Sequence, residues 1–232
     1  TDDGVEKTVP KLNGWTSNGD RHTATINYTD DAKYTFDIAF KDMAGNDAAD
    51  FANQTFYVDK TVPSLEITGV KDKSANSGDV IPVVTYTDTN FDDSQVNITL
   101  VGANRKDVAL LGNYSDIHNG KVFTFDNFAK EKDIDDIYTL YATLTDKAGN
   151  TSKKSINFSV NRFGSTYVLS DETATLNGSY AKTPIDIMLS EINANELKNI
   201  KITLFKNDKT IVLEEGTDYR IDVVGGDGQW YQ

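Results

Sequence analysis

The sequence predicts an all-β chain of antiparallel β-sandwiches in tandem. Strict alternation in several short runs predicts it, and so does the recurrence of one such stretch further along the chain. In residues 136–160, Tyr138, Leu140, Ala142 and Leu144 alternate with Thr139, Tyr141, Thr143 and Thr145. Ile156, Phe158 and Val160 alternate with polar partners in the same way. A period of two marks strands that bury one face. Between the runs lies Asp146-Lys147-Ala148-Gly149-Asn150. Gly149 can take a positive φ without steric penalty, and Asp146 can accept from N–H groups a few residues on, so the loop predicts a tight strand reversal.

The same hairpin occurs earlier. Tyr34, Phe36, Ile38 and Phe40 lead to Asp42-Met43-Ala44-Gly45-Asn46, and Phe56 and Val58 follow. Tyr34 to Tyr138 and Asn46 to Asn150 are offsets of 104, whereas Phe56 to Phe158 and Val58 to Val160 are offsets of 102. The first copy therefore carries a two-residue insertion at or just after its loop, where insertions are tolerated.

A chain of 232 residues with this repeat divides into two or three small units. Three are expected: the C-terminal part of a sandwich at 1–60, a complete one at 61–161 and the N-terminal part of a third at 162–232. Asp59-Lys60-Thr61-Val62-Pro63 forms the first junction; Pro63 biases Val62 toward extended backbone and suits a short, stiff linker. In the middle unit the expected strands are 65–69, 81–86, 96–101, 108–111, 121–125, 138–145 and 155–160, about the number a two-sheet sandwich needs. Leu65 and Ile67 recur as Tyr167 and Leu169, and Ile98 and Leu100 as Ile202 and Leu204. Residues 23–28 are expected to form a further strand, and 190–198 a single helical turn. Residues 1–60 hold the hairpin that 162–232 would need, with Phe36, Ile38 and Phe40 suited to cover Ile185, Ile187, Ile202 and Leu204.

The net charge of −13 disfavours phosphate backbones, so no nucleic-acid partner is expected. With no cysteine there is neither a disulfide framework nor a thiolate metal site. No apolar run is long enough for a membrane span, and the opening Thr-Asp-Asp-Gly is expected of a processed or excised product.

Thr-Asp-Lys-Ala-Gly-Asn at 145–150 after an alternating strand, and Asp-Lys-Thr-Val-Pro at 59–63 after the first copy, resemble the tandem bacterial immunoglobulin-like domains of Gram-positive cell-surface proteins. At the second junction Asn161-Arg162-Phe163-Gly164 replaces the Asp-Lys-Thr-x-Pro form. The resemblance implies an extracellular, wall-attached location and a non-enzymatic adhesin stalk or spacer. It implies neighbouring immunoglobulin-like repeats of the parent chain as partners, with a surface glycan or protein as a further partner. Two alternatives stand beside that reading: a glycan- or protein-binding module, and an accessory module of a large extracellular enzyme.

The family carries no shared catalytic residues, and none is expected here. His22 and His118 have no partner serine or carboxylate at a motif spacing. Trp230 and Tyr231 could stack on a sugar but are read as packing residues. Asp88, Asn90 and Asp92 alternate in a way that can converge on calcium. Asp93 and Thr99 stand where a calcium loop of the EF-hand type needs Gly and Glu, so no cofactor is expected. At an offset of 104 the three map to Ile192, Ala194 and Glu196, which takes them out of the repeat. Asp133, Asp135 and Asp136, with Glu131 nearby, read as a solvated turn, and Asp42 and Asp146 as turn caps. No lysine falls on an inward phase, so an isopeptide bond is not expected.

Overall fold

The computed structural model describes residues 14–36, 39–49 and 53–223. Its strands run in the order β1 (Thr16–Asn18), β2 (Arg21–Thr23), β3 (Ala32–Phe36), β4 (Gln54–Val58), β5 (Ser64–Thr68), β6 (Ser74–Asn76), β7 (Val83–Thr87), β8 (Val96–Gly102), β9 (Gly112–Ile117), β10 (Gly120–Phe125), β11 (Asp136–Thr145) and β12 (Thr151–Val160). Then follow β13 (Thr166–Leu169), the helical turn α1 (Asp171–Ala174), β14 (Leu189–Ile192), β15 (Thr203–Lys206) and β16 (Lys209–Val212). The fold is all-β, and among the described residues every pairing of these strands but one, β12 with β6, is antiparallel.

Strands β5 to β12 form two four-stranded sheets, ordered β5-β7-β10-β9 and β6-β12-β11-β8. Both sheets contribute to one apolar core: Ile67, Val84, Tyr86, Phe123 and Phe125 from the first, Ile98, Leu100, Tyr138, Leu140, Leu144 and Phe158 from the second. The alternation of β11 is realised as read, with Tyr138, Leu140, Ala142 and Leu144 buried. Ile98 and Leu100 do not face β11 from the opposite sheet. They lie beside it in register, Leu100 against Leu140 and Ile98 against Ala142, because β8 is the edge neighbour of β11.

Several expected elements are displaced. The strand expected at 108–111 is instead Gly112–Ile117; Val108 packs on the core from the preceding loop, so an apolar cluster had mimicked a strand. Ser74–Asn76 is a short parallel neighbour of β12 with no apolar period to reveal it. Of residues 23–28 only Thr23 lies in a strand. The helical turn expected at 190–198 is absent: Leu189–Ile192 is a strand paired with β13, and the turn lies at Asp171–Ala174, where Ser170 Oγ accepts from Thr173 N at 3.1 Å.

The repeat is visible in atomic detail. In one loop Asp146 Oδ1 accepts from Ala148 N at 2.8 Å and Asn150 N at 2.9 Å, and Oδ2 accepts from Asn150 Nδ2 at 2.8 Å. In the other, Asp42 makes the same three bonds to Ala44 and Asn46 at 2.9, 2.9 and 2.8 Å. Gly149 and Gly45 sit at φ +96° and +89°, the left-handed region these reversals need. Tyr138 Oη donates to Ile134 O, and Tyr34 Oη to Asp30 O, again 104 residues apart. The rings repeat too: Tyr138 stacks on Phe158 with Phe128 edge-on, as Tyr34 stacks on Phe56 with Tyr28 edge-on. Ile38 lies outside the described residues.

Candidate junction sites

Each repeat hairpin begins beside a carboxylate that reaches the linker following it. Asp31 Oδ2 accepts from Lys60 N at 3.1 Å and from Thr61 Oγ1 at 2.7 Å. Asp135 stands 104 residues later, and its Oδ2 accepts from Arg162 N and Phe163 N, both at 2.7 Å. Lys60 to Arg162 and Thr61 to Phe163 are offsets of 102, so equivalent carboxylates close on equivalent linker residues. In each the second oxygen is buried without a hydrogen-bond partner. The hydrogen bonds from Thr61 and Lys60 hold the Asp31 carboxyl below its usual range. Its contribution is therefore fully present above that range and is lost as pH falls below it, through the lowered folded-state pKa.

The second junction carries further ties. Arg162 donates to the carbonyls of Phe128 at 2.9 Å, Ala129 at 2.7 Å and Gly78 at 3.0 Å. Asn161 is buried; its amide donates to Thr166 Oγ1 at 2.7 Å and Ile192 O at 3.0 Å, and its own carbonyl oxygen accepts from Ser159. Asn104 Nδ2 donates to Tyr167 O at 3.0 Å. Asp136, read from sequence as part of a solvated turn, is fully buried. Its carboxylate accepts from Asn104 N and Nδ2, Arg105 N and Ile137 N at 2.8 to 3.2 Å. Asp133 alone of that trio remains at the surface, beside Arg105. A run of acids conceals this division, because the partners come from the loop after β8, some thirty residues upstream in sequence.

At the first junction the structure regroups the calcium candidates. Asp92 turns away to cap a short 3-10 turn, accepting from Ser94 N and Oγ. Asp88 instead meets Asp59 of the linker and Asp146 of the hairpin loop, one carboxylate oxygen of each lying within 4.8 Å of the other two. Asn90 is at the rim: its Nδ2 donates to Asp59 Oδ2 at 2.7 Å and its N to Asp88 Oδ1 at 2.6 Å. Asn150 Nδ2 reaches Asp59 O at 3.1 Å. Burial, and then the charges of Asp59 and Asp146, push the Asp88 carboxyl up.

The pairing of β13 with β14 corrects the repeat arithmetic here. Ser64 opposes Thr87 in the middle unit, and Thr166 opposes Ile192 in the next, which raises the local offset to 105. Asn193, rather than Ile192, therefore stands where Asp88 does, and its Oδ1 accepts from Asn195 N at 3.1 Å as Asp88 accepts from Asn90. Asn161 likewise occupies the place of Asp59. The second junction replaces two carboxylates of the first with amides, so the charge cluster is a property of one junction.

Three carboxylates offer at most six oxygens, the lower limit of the six to eight calcium takes, and both oxygens of Asp59 and Asp146 and one of Asp88 already accept hydrogen bonds. Millimolar calcium is expected to leave the melting temperature unchanged; a rise that disappears in Asp88→Ala would overturn this. Asp88→Asn relieves repulsion while keeping an acceptor for Asn90 N. At neutral pH it is expected to raise the melting temperature by about 1–3 °C, on a scale where about 1 kcal/mol moves a small domain by about 4–8 °C. The gain should shrink as the pH falls through the raised pKa of Asp88, because the wild-type carboxyl then becomes neutral as well.

The histidines sit on exposed hairpins. His22 Nδ1 lies 2.6 Å from Ser17 Oγ, a pair the sequence spacing did not suggest, and among the described residues no carboxylate orients its other ring nitrogen. His118 lies in the turn between β9 and β10. Among the described residues no lysine is buried; Lys121, the most sheltered, is paired with Asp93 and lies over the Tyr114 ring. No described helix is long and apolar enough to cross a membrane, which says nothing of β-barrels. Trp230 and Tyr231 lie outside the described residues. No protein-family model matches the chain, and no curated protein matches it.

Proposed function

We propose that the chain is a non-enzymatic repeat segment of a bacterial cell-surface protein, a stalk or spacer made of tandem immunoglobulin-like sandwiches. The observation that carries the reading is the repeated latch. Asp31 and Asp135, at equivalent positions, each fasten the linker that leaves their own hairpin. A linker tied down by hydrogen bonds at both ends holds consecutive units at a set angle, as a projecting stalk requires, whereas a flexible tether needs no such ties. The immunoglobulin-like assignment is supported by the two sheet orders and by the Tyr138 hydroxyl bonded back to Ile134 O near the start of β11. The neighbouring repeats are then the chain's first partners, and wall attachment belongs to the parent protein.

The test uses the absence of native cysteines. Spin labels at Tyr141→Cys and Tyr180→Cys, both exposed, are expected to give one narrow distance distribution. Asp135→Ala should widen it at least about twofold, since two backbone N–H groups lose their charged acceptor. A distribution already broad with Asp135 intact would remove the spacer reading. Reproducible binding on a glycan array would favour the binding-module alternative.

A further inference from the structure

The one parallel pairing among the described strands lies in the middle unit, and it joins the two ends of that unit. The chain enters at the linker 59–63, beside the β11–β12 loop: Asn150 Nδ2 donates to Asp59 O at 3.1 Å, and Ser152 Oγ donates to Pro63 O. It leaves at Asn161, past the far end of the 10-residue β12, about 30 Å along the strand. Between the entry and β6 the chain changes sheets. β5 pairs with β7 in the first sheet, and β6 with β12 in the second. Gly69 begins the crossing at φ +77°, where a Cβ would lie 2.1 Å from Ile81 O, and Val70 is buried just beyond it. Ser74 lies beside Phe158 and Asn76 beside Val160, so β6 and β12 run in the same direction. Further bonds extend this short register at both ends. Asn157 N donates to Asp72 Oδ1 at 2.8 Å, Lys73 N to Asn157 O at 2.6 Å, Asn76 Nδ2 to Ser159 O at 3.0 Å and Asn161 N to Asn76 O at 2.9 Å.

We infer that the middle unit is built to bear tension along the chain, with β6 and β12 as its mechanical clamp. A pull between entry and exit draws β6 toward the first junction and β12 toward the second. Parallel strands drawn in opposite directions slide along each other, so their evenly spaced hydrogen bonds are loaded together and must fail together. Two strands pulled apart at neighbouring ends instead lose one bond at a time. β5 is loaded lengthwise as well, since the pull runs along its ladder with β7. Forced unfolding is governed by the barrier to unfolding, so the direction of the load matters as well as the number of bonds. Arg162 reinforces the exit. Its side chain donates to Gly78 O, just past β6, and to Phe128 O and Ala129 O. This inference rests on the stalk reading, because a projecting spacer is what carries such a load. It concerns the interior of one unit, whereas the spin-label test concerns the linker that follows, so the two fail separately.

The test pulls single molecules of the 232-residue chain through pairs of engineered cysteines, which the absence of native cysteine permits. Val62→Cys with Phe163→Cys applies the load along β6 and β12; the two native side chains are 61% and 53% exposed. Ser77→Cys with Phe163→Cys, again at exposed positions, pulls on the neighbouring ends of β6 and β12 and peels them apart. Both pairs lie outside the strands and should share the wild-type denaturation midpoint, so that only direction differs. At one loading rate the first direction is expected to need at least about twice the force of the second. Asn76→Ala removes the tie to Ser159 O and should lower the force in the first direction by about a fifth or more. Equal forces in the two directions would overturn the inference. A first-direction force unchanged in Asn76→Ala would overturn it too, since the resistance would then lie elsewhere. Should Asn76→Ala fail to fold, the comparison of directions decides alone, because it is made in chains that keep Asn76.

Discussion

Leu140→Ala is expected to lower the stability of the middle unit by about 2–5 kcal/mol in a denaturant titration. Leu140 is fully buried at the centre of β11, flanked in register by Ile156 on β12 and Leu100 on β8. Three β-strands fix the backbone around it, so the cavity left by the lost isobutyl group has little freedom to collapse. Tyr141, its immediate neighbour, points outward and is 48% exposed; Tyr141→Ala should cost less than about 1 kcal/mol. Equal losses at the two positions would mean that the two faces of β11 are not distinguished by burial. The contrast is the sharper measurement, because both changes lie on one strand and share one unfolded reference.

Asp136→Ala should cost roughly 3 kcal/mol or more, although the residue is charged and lies in a run of acids. Its carboxylate is the acceptor for the backbone N–H groups of Asn104, Arg105 and Ile137, and each buried donor left without an acceptor costs about 1–3 kcal/mol. Asn in its place keeps one acceptor oxygen and turns an NH2 group toward the donors, so Asp136→Asn should recover only part of the loss. Gly102 belongs to the same arrangement: a Cβ there would come within 2.4 Å of Asp136 Oδ2 and 2.7 Å of Arg105 O. A chemical-denaturation midpoint unchanged in Asp136→Ala would show that the loop after β8 finds other acceptors. Burial also pushes the neighbouring Tyr138 hydroxyl up to about 12, so that phenol should stay neutral across the range in which these titrations are run.

The middle hairpin was legible from local pattern alone. The phase of β11 and the turn at Asp146-Lys147-Ala148-Gly149-Asn150 depend on a period of two and on bonds spanning four residues. Neither needs knowledge of the rest of the chain. The 3-residue strand Ser74–Asn76 was not legible, because it is held by β12 and by Asn76 Nδ2 reaching Ser159 O, 83 residues away. Val108 misled for the opposite reason: its burial comes from packing on the core, which a window of neighbours reads as a strand.

The candidate sites divide along the same line. The sequence by itself determined that the chain is all-β, that its hairpin repeats, and that Asp42 and Asp146 cap their turns, since each of these is encoded within a few residues. Only the tertiary structure decided which carboxylates meet. Asp59, Asp88 and Asp146 lie far apart along the chain and converge because the linker, the end of β7 and the β11–β12 loop share one end of the two-sheet unit. Asp92, four residues from Asp88, is directed elsewhere by its own cap. The same holds for Asp135 and Asp136: adjacent and chemically identical, they point to opposite sides of an extended backbone. One therefore fastens a linker while the other is enclosed beneath the loop after β8.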